Sequence, residues 1–199
     1  MNANRISRLR NMIGSSFMDT ILIAKEKDAL LCSDDFILRI LAETEFGVGG
    51  IWTQVFLIFA LNNSSLNSAD YKNATIRLAI LNYRYTTINS DILLEAAKIA
   101  KWKWSEPYLS IVKILNGGIS SDRSSILVAR DFILKLFSLN IYVGNRNQLM
   151  LKLMDSITRN RDRKLVIEIL LNQFENSSLP VLLINEIKEH INFWFFYSI

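Results

Sequence analysis

MDTILIAKEKDALLCSDDF, Met18 to Phe36, joins a helical pattern to a short apolar run and then to the start of a second helix. Upstream of it, from Ile6 to about Lys27, apolar spacing predicts a helix or two short ones, with a break at Gly14, Ser15 and Ser16 and with Asp19 in the first turn of the second. Ala29 to Cys32 reads as a strand. Beyond Ser33 and the two aspartates, Phe36, Ile37, Ile40 and Leu41 recur at helical spacing, which predicts an amphipathic helix closed by Gly47. Gly47 to Trp52 is glycine-rich and β-branched and reads as a brief second strand or tight connection, followed by an apolar helix from about Thr53 to Leu61. This order is a strand-to-helix crossover of the α/β kind.

After Leu61 every segment reads as helix. Ser68 starts one that reaches Asn82, Ser90 starts one that reaches about Lys101, and Pro107 opens another that Gly117 and Gly118 end. Helices over about Ser124 to Leu139, Gln148 to Asn160 and Asp162 to Phe174 follow, and Pro180 begins the last. The expected fold is therefore mainly α, with a partial α/β segment over 1–61 and an all-helical domain over 62–199. No fixed-period repeat stands out, although short loops allow the helices to stack in pairs.

Composition narrows the chemistry. Among 199 residues, 23 Lys and Arg against 19 Asp and Glu give a net charge of +4, which permits a polyanionic partner without any basic run long enough to be a nucleic-acid arm. Cys32 is the single cysteine and His190 the single histidine, so there is neither an intramolecular disulfide nor a Cys/His zinc cluster, and a reducing cytoplasm is expected. Any metal would be hard and oxygen-bound. The N-terminal apolar run is broken by Asp19 and makes a poor signal peptide; Phe46 to Ala69, though uncharged, is too polar to span a bilayer.

Asp19, Asp34 and Asp35 are the acids with a chemical reading. A carboxylate at the carboxyl end of a strand and another at the start of a neighbouring helix meet where open α/β sheets bind ligands, and hard cations need several such oxygens. The same residues also suit helix capping: Asp34 or Ser33 at the cap of the following helix, Asp35 and Asp19 in first turns. Spacing alone leaves both open.

Asp19-Thr-Ile-Leu-Ile-Ala24 followed by Leu30-Leu-Cys-Ser-Asp-Asp-Phe36 resembles the second half of a PIN domain, in which an aspartate opens a helix and a strand then ends in an aspartate. Leu38-Arg-Ile-Leu-Ala42, Phe46-Gly47 and Gly50-Ile-Trp-Thr-Gln54 resemble more closely a bacterial PIN-like subgroup associated with tetratricopeptide and Gre-factor-like modules. The resemblance implies a compact α/β/α sandwich and metal-dependent cleavage of RNA or single-stranded nucleic acid. Asp19 and Asp34 would then hold Mg²⁺ or Mn²⁺, with Asp35 as an alternative or helper. Two of the family's usual four acids would lie upstream, where Met1 to Met18 carries none, so the expectation is a PIN-like nuclease incomplete at its N-terminus. The alternative is a non-catalytic helical module that binds a protein partner.

Secondary candidates have structural readings. Glu43 and Glu45 suit a solvated face, Thr53 a helix cap, and Gly47, Gly49 and Gly50 lack the lysine of a phosphate loop. Trp102 and Trp104 alternate with Lys101 and Lys103, which fits base stacking or, more simply, packing on a partner helix. Arg159, Arg161, Arg163 and Lys164 fit an RNA-facing patch or a solvated loop, and His190 a structural role. The tail Phe193 to Tyr197 is apolar all round and must be buried or meet a partner.

Overall fold

A computed structural model describes residues 3–83, 86–116, 122–177 and 180–197. Among them are eleven helices and two short strands, so the chain is mainly helical. It divides into two compact units, Met1–Asn67 and Ser68–Ile199.

In the first unit α1 (Ala3–Ile13) and α2 (Ser15–Glu26) are separated at Gly14, whose φ of 91° is the left-handed backbone that glycine tolerates. The expected strand at Ala29 shrinks to β1 (Leu31–Cys32), because the Ala29 N–H turns back to the Ala24 carbonyl of α2 at 2.9 Å. Then α3 (Phe36–Phe46) crosses over to β2 (Gly50–Ile51), which pairs with β1 in parallel, Leu31 opposite Gly50 and Cys32 opposite Ile51. Gly47 ends α3 in a left-handed cap, its N–H reaching back to the last carbonyls of the helix. Met18, Ile21, Leu31, Leu38, Ala42 and Phe46 are the core, and Ile6, Leu9 and Ile13 of α1 pack on it. The predicted crossover is present; a sheet of two strands is far smaller than the sandwich the resemblance implies. Next comes α4 (Thr53–Asn62), apolar all round, with Phe56 and Phe59 exposed.

The second unit consists of α5 (Ser68–Ile80), α6 (Ser90–Ile99), α7 (Tyr108–Ile114), α8 (Asp122–Phe137), α9 (Val143–Thr158), α10 (Arg163–Glu175) and α11 (Val181–Tyr197). Its contacts follow one rule. Helices two apart lie side by side, α5 on α7, α7 on α9 and α9 on α11, with α6 on α8 and α8 on α10. Consecutive helices such as α5 and α6, α8 and α9, or α10 and α11 pack between those rows. The odd and even helices thus form two layers around one core that includes Tyr108, Phe132, Leu136, Leu149, Leu153 and Phe174.

Several termini fall beside the expected residue. Asn89 and not Ser90 caps α6, its Oδ1 accepting from the Ile92 N–H at 2.9 Å, and Asp162 caps α10 through the Leu165 N–H. α9 starts five residues before the expected Gln148. The ending assigned to Gly117 and Gly118 lies outside the described residues.

Candidate functional site

The parallel pairing of β1 and β2 brings the starts of α3 and α4 to one edge, and the aspartates after β1 serve both. Asp35 is the cap of α3: its Oδ1 accepts from the Leu38 N–H at 3.1 Å. That role was expected of Asp34 or Ser33, one or two residues earlier. Asp34 instead reaches across to α4, where Oδ1 accepts from the Thr53 N–H at 2.9 Å and Oδ2 from the Thr53 hydroxyl at 2.7 Å. Trp52, in the capping position of α4, has no side-chain oxygen to offer, so Asp34 supplies the missing acceptor from the neighbouring strand. Thr53 is thereby held rather than capping the helix itself.

Asp19 lies beyond the first turn of α2, which contains no acid. Its half-exposed carboxylate accepts from Arg10 of α1 at 2.7 Å, an ion pair joining the two helices. All three acids therefore have local partners. Among the described residues no group of three or more Asp, Glu, His or Cys side chains gathers as a metal-holding set. Mg²⁺ takes about six oxygens, usually one or two of them from carboxylates free to ligate it and the rest from water or substrate. The donor set formed by Asp19, Asp34 and Asp35 does not fit that demand: both Asp34 oxygens are engaged by Thr53, and Asp19 faces a guanidinium.

Sequence reasoning missed Arg39, which organises this edge. It is 7% exposed, donates to the Ser33 carbonyl at 2.6 Å, and sets its guanidinium 5.0 Å from the Trp52 ring centre. Its aliphatic stem lies directly on Gly50. An arginine at position four of an amphipathic helix gave no signal of burial, because the Ser33 carbonyl and the Phe36 and Trp52 rings it meets are not marked as its partners by any local pattern.

In the helical unit the basic stretch separates into different roles. Arg161 is buried and donates to the Leu115 and Ile157 carbonyls, while Arg163 packs its guanidinium 4.2 Å from the Trp194 ring centre. Only Arg159 and Lys164 of the four are exposed. Trp102 and Trp104 are half-buried against the core, as the packing reading expected. His190 lies against Phe137 and beside Glu186, a structural setting. In the aromatic tail Trp194 is buried, with its Nε1 donating to Asp155, whereas Phe193 and Phe196 are exposed; the Tyr197 side chain lies outside the described residues.

No protein-family model, curated protein or solved structure matches this chain. Among the described residues, no helix is long and apolar enough to cross a membrane.

Proposed function

We propose that the chain is a helical binding module whose α/β segment is a folded support and not a self-contained nuclease site. The observation that carries this reading is the pair of hydrogen bonds that Asp34 accepts from Thr53: the acid best placed to hold a metal is spent on starting α4. The layered helical unit, the larger of the two, supplies the extended surface that stacked helices use for partners.

A second reading, a metal-dependent PIN-like nuclease acting on RNA, is favoured by one feature. Asp34 and Asp35 follow the carboxyl end of β1, which pairs in parallel with β2, and that is the edge at which open α/β sheets bind ligands. Thermal melts of the wild type and of Asp34→Ala, each with and without MgCl₂ or MnCl₂, separate the two. A capping role makes Asp34→Ala lower stability by about 0.5–2 kcal/mol and leaves both proteins indifferent to metal. A metal site gives a wild-type midpoint that rises with metal, by linkage, and a variant that has lost the rise.

A further inference from the structure

Between α7 and α9 the helical unit has a cleft of about 230 Å³ lined by Trp104, Lys113, Asn116, Lys152, Asp155 and Arg159. Its charge is lopsided. Lys113 and Arg159 are exposed and have no ion-pair partner among the described residues. Asp155 is the one acid in the lining; its Oδ1 accepts from Trp194 Nε1 at 2.8 Å and its Oδ2 lies 3.5 Å from Lys152 Nζ, so the cations of the lining outnumber its acids. The same bias holds for the whole unit. Ser68–Ile199 has 17 Lys and Arg against 12 Asp and Glu, whereas Met1–Asn67 has 6 against 7, so the basic surplus of the chain belongs to the helices.

Size and geometry narrow what anion fits. Pockets that enclose a small molecule run from roughly 300 to 1,000 Å³, so this cleft is suited to one or two side chains of a longer ligand. Single-stranded nucleic acid is gripped by open aromatic faces in series, with cations tracking the backbone. Here Trp104 is the one aromatic of the lining; the Lys152 ammonium stands 5.8 Å from its ring centre, and Tyr108 packs against it edge-on at 5.8 Å. What the cleft offers instead is three cations against one acid, an amide at Asn116, and a single indole against which a short aliphatic stem can lie. A guanidinium matches a carboxylate through two parallel hydrogen bonds.

We infer that this cleft binds an acidic peptide segment of a partner protein, with its carboxylates on Lys113, Lys152 and Arg159 and its side-chain methylenes on Trp104; the inference rests on the binding-module reading. The test is fluorescence anisotropy on the full chain. Its probes are a fluorescein-labelled peptide of alternating glutamate and leucine, the same peptide with glutamine for glutamate, and a labelled oligouridylate.

The glutamate peptide is expected to bind. Lys152→Glu and Arg159→Glu should each weaken it by about tenfold or more, the scale of losing a charge-assisted contact. Lys103→Glu and Lys164→Glu, exposed and outside the lining, should each change it by clearly less than either cleft variant, since solvent and salt weaken charges that do not touch the peptide. Binding of the glutamine peptide with equal affinity would overturn the inference, as would equal losses in all four variants or no binding at all. Oligouridylate held in place of the peptide, and released by the same two cleft variants, would overturn the choice of occupant. The underlying reading is tested separately in the same tubes: cleavage of oligouridylate with MnCl₂, lost in Asp34→Asn, refutes the binding module itself. Uncut RNA with an unbound peptide refutes the cleft alone.

Discussion

Replacing Arg161 by methionine should cost the helical unit about 3–5 kcal/mol, the range for stranding partners of a buried charged hydrogen-bonding group. Its side chain is 3% exposed and ties the ends of two helices together. Nη1 donates to the Leu115 carbonyl at the end of α7 at 2.8 Å and to the Ile157 carbonyl in the last turn of α9 at 2.6 Å; Nη2 donates to the fully buried Ser125 hydroxyl at 3.1 Å. Methionine keeps much of the volume and none of the donors, leaving two carbonyls and a hydroxyl without them at about 1–3 kcal/mol each, less whatever water recovers. The bond from Nε to Asp122 at 2.5 Å contributes little, because the Asp122 side chain is 72% exposed and such pairs give about 0–1 kcal/mol. A unit of this size shifts by about 4 °C per kcal/mol, so Arg161→Met should lower the melting midpoint by roughly 12–20 °C. Asp122→Asn should move it by less than about 4 °C on the same scale. Circular dichroism melts decide it. Equal shifts in the two variants would refute the reasoning and return Arg161 to the surface, among residues available to a nucleic acid.

Tyr108 is wholly buried, and burial pushes its phenol well above the ordinary tyrosine range while its hydroxyl donates to the Leu149 carbonyl at 3.0 Å. The raised value means that the unfolded chain ionises first: the contribution of Tyr108 is full below the unfolded pKa near 10 and is lost as pH climbs towards the folded one. Urea unfolding of wild type and Tyr108→Phe at neutral pH and above pH 10 should therefore show the two converging in alkali; a constant gap would count against it. At Gly50 an added Cβ would lie 2.8–2.9 Å from the Arg39 stem, so Gly50→Ala should destabilise the first unit by about 1–3 kcal/mol, as overpacking does. An Arg39→Ala background removes the Cγ and Cδ contacts and keeps the Cβ contact at 2.9 Å, so the same change should cost less there than in the wild type, and a double-mutant cycle showing simple additivity would contradict the packing.

The helices and the single crossover were legible because each carries its own signal: apolar spacing, glycine at a helix end, proline at a start. Gly47 closes α3 in the way its position announces. Which oxygen satisfies which helix was not legible, since Asp34 and Asp35 are equivalent in composition and differ only in the strand register that turns one towards Leu38 and the other towards Thr53. The same limit hid Arg39 and Arg161. In a sequence an arginine announces charge and solvent, and only tertiary contact reveals the carbonyls that both of these side chains donate to. Long-range convergence also made the α7–α9 cleft invisible, because Trp104, Lys113 and Arg159 belong to separate segments that no local pattern connects.

The contact rule of the helical unit has a temporal side. Since the principal contacts of each helix are with the next helix or the one after it, no segment must wait for a distant end of the chain before it can dock. A chain leaving the ribosome would add layers in the order of synthesis, each new helix covering apolar surface left by the two before it, and loop-closure costs stay small throughout. α11 extends the odd row on α9 and covers α10, with Trp194 fastening it to Asp155.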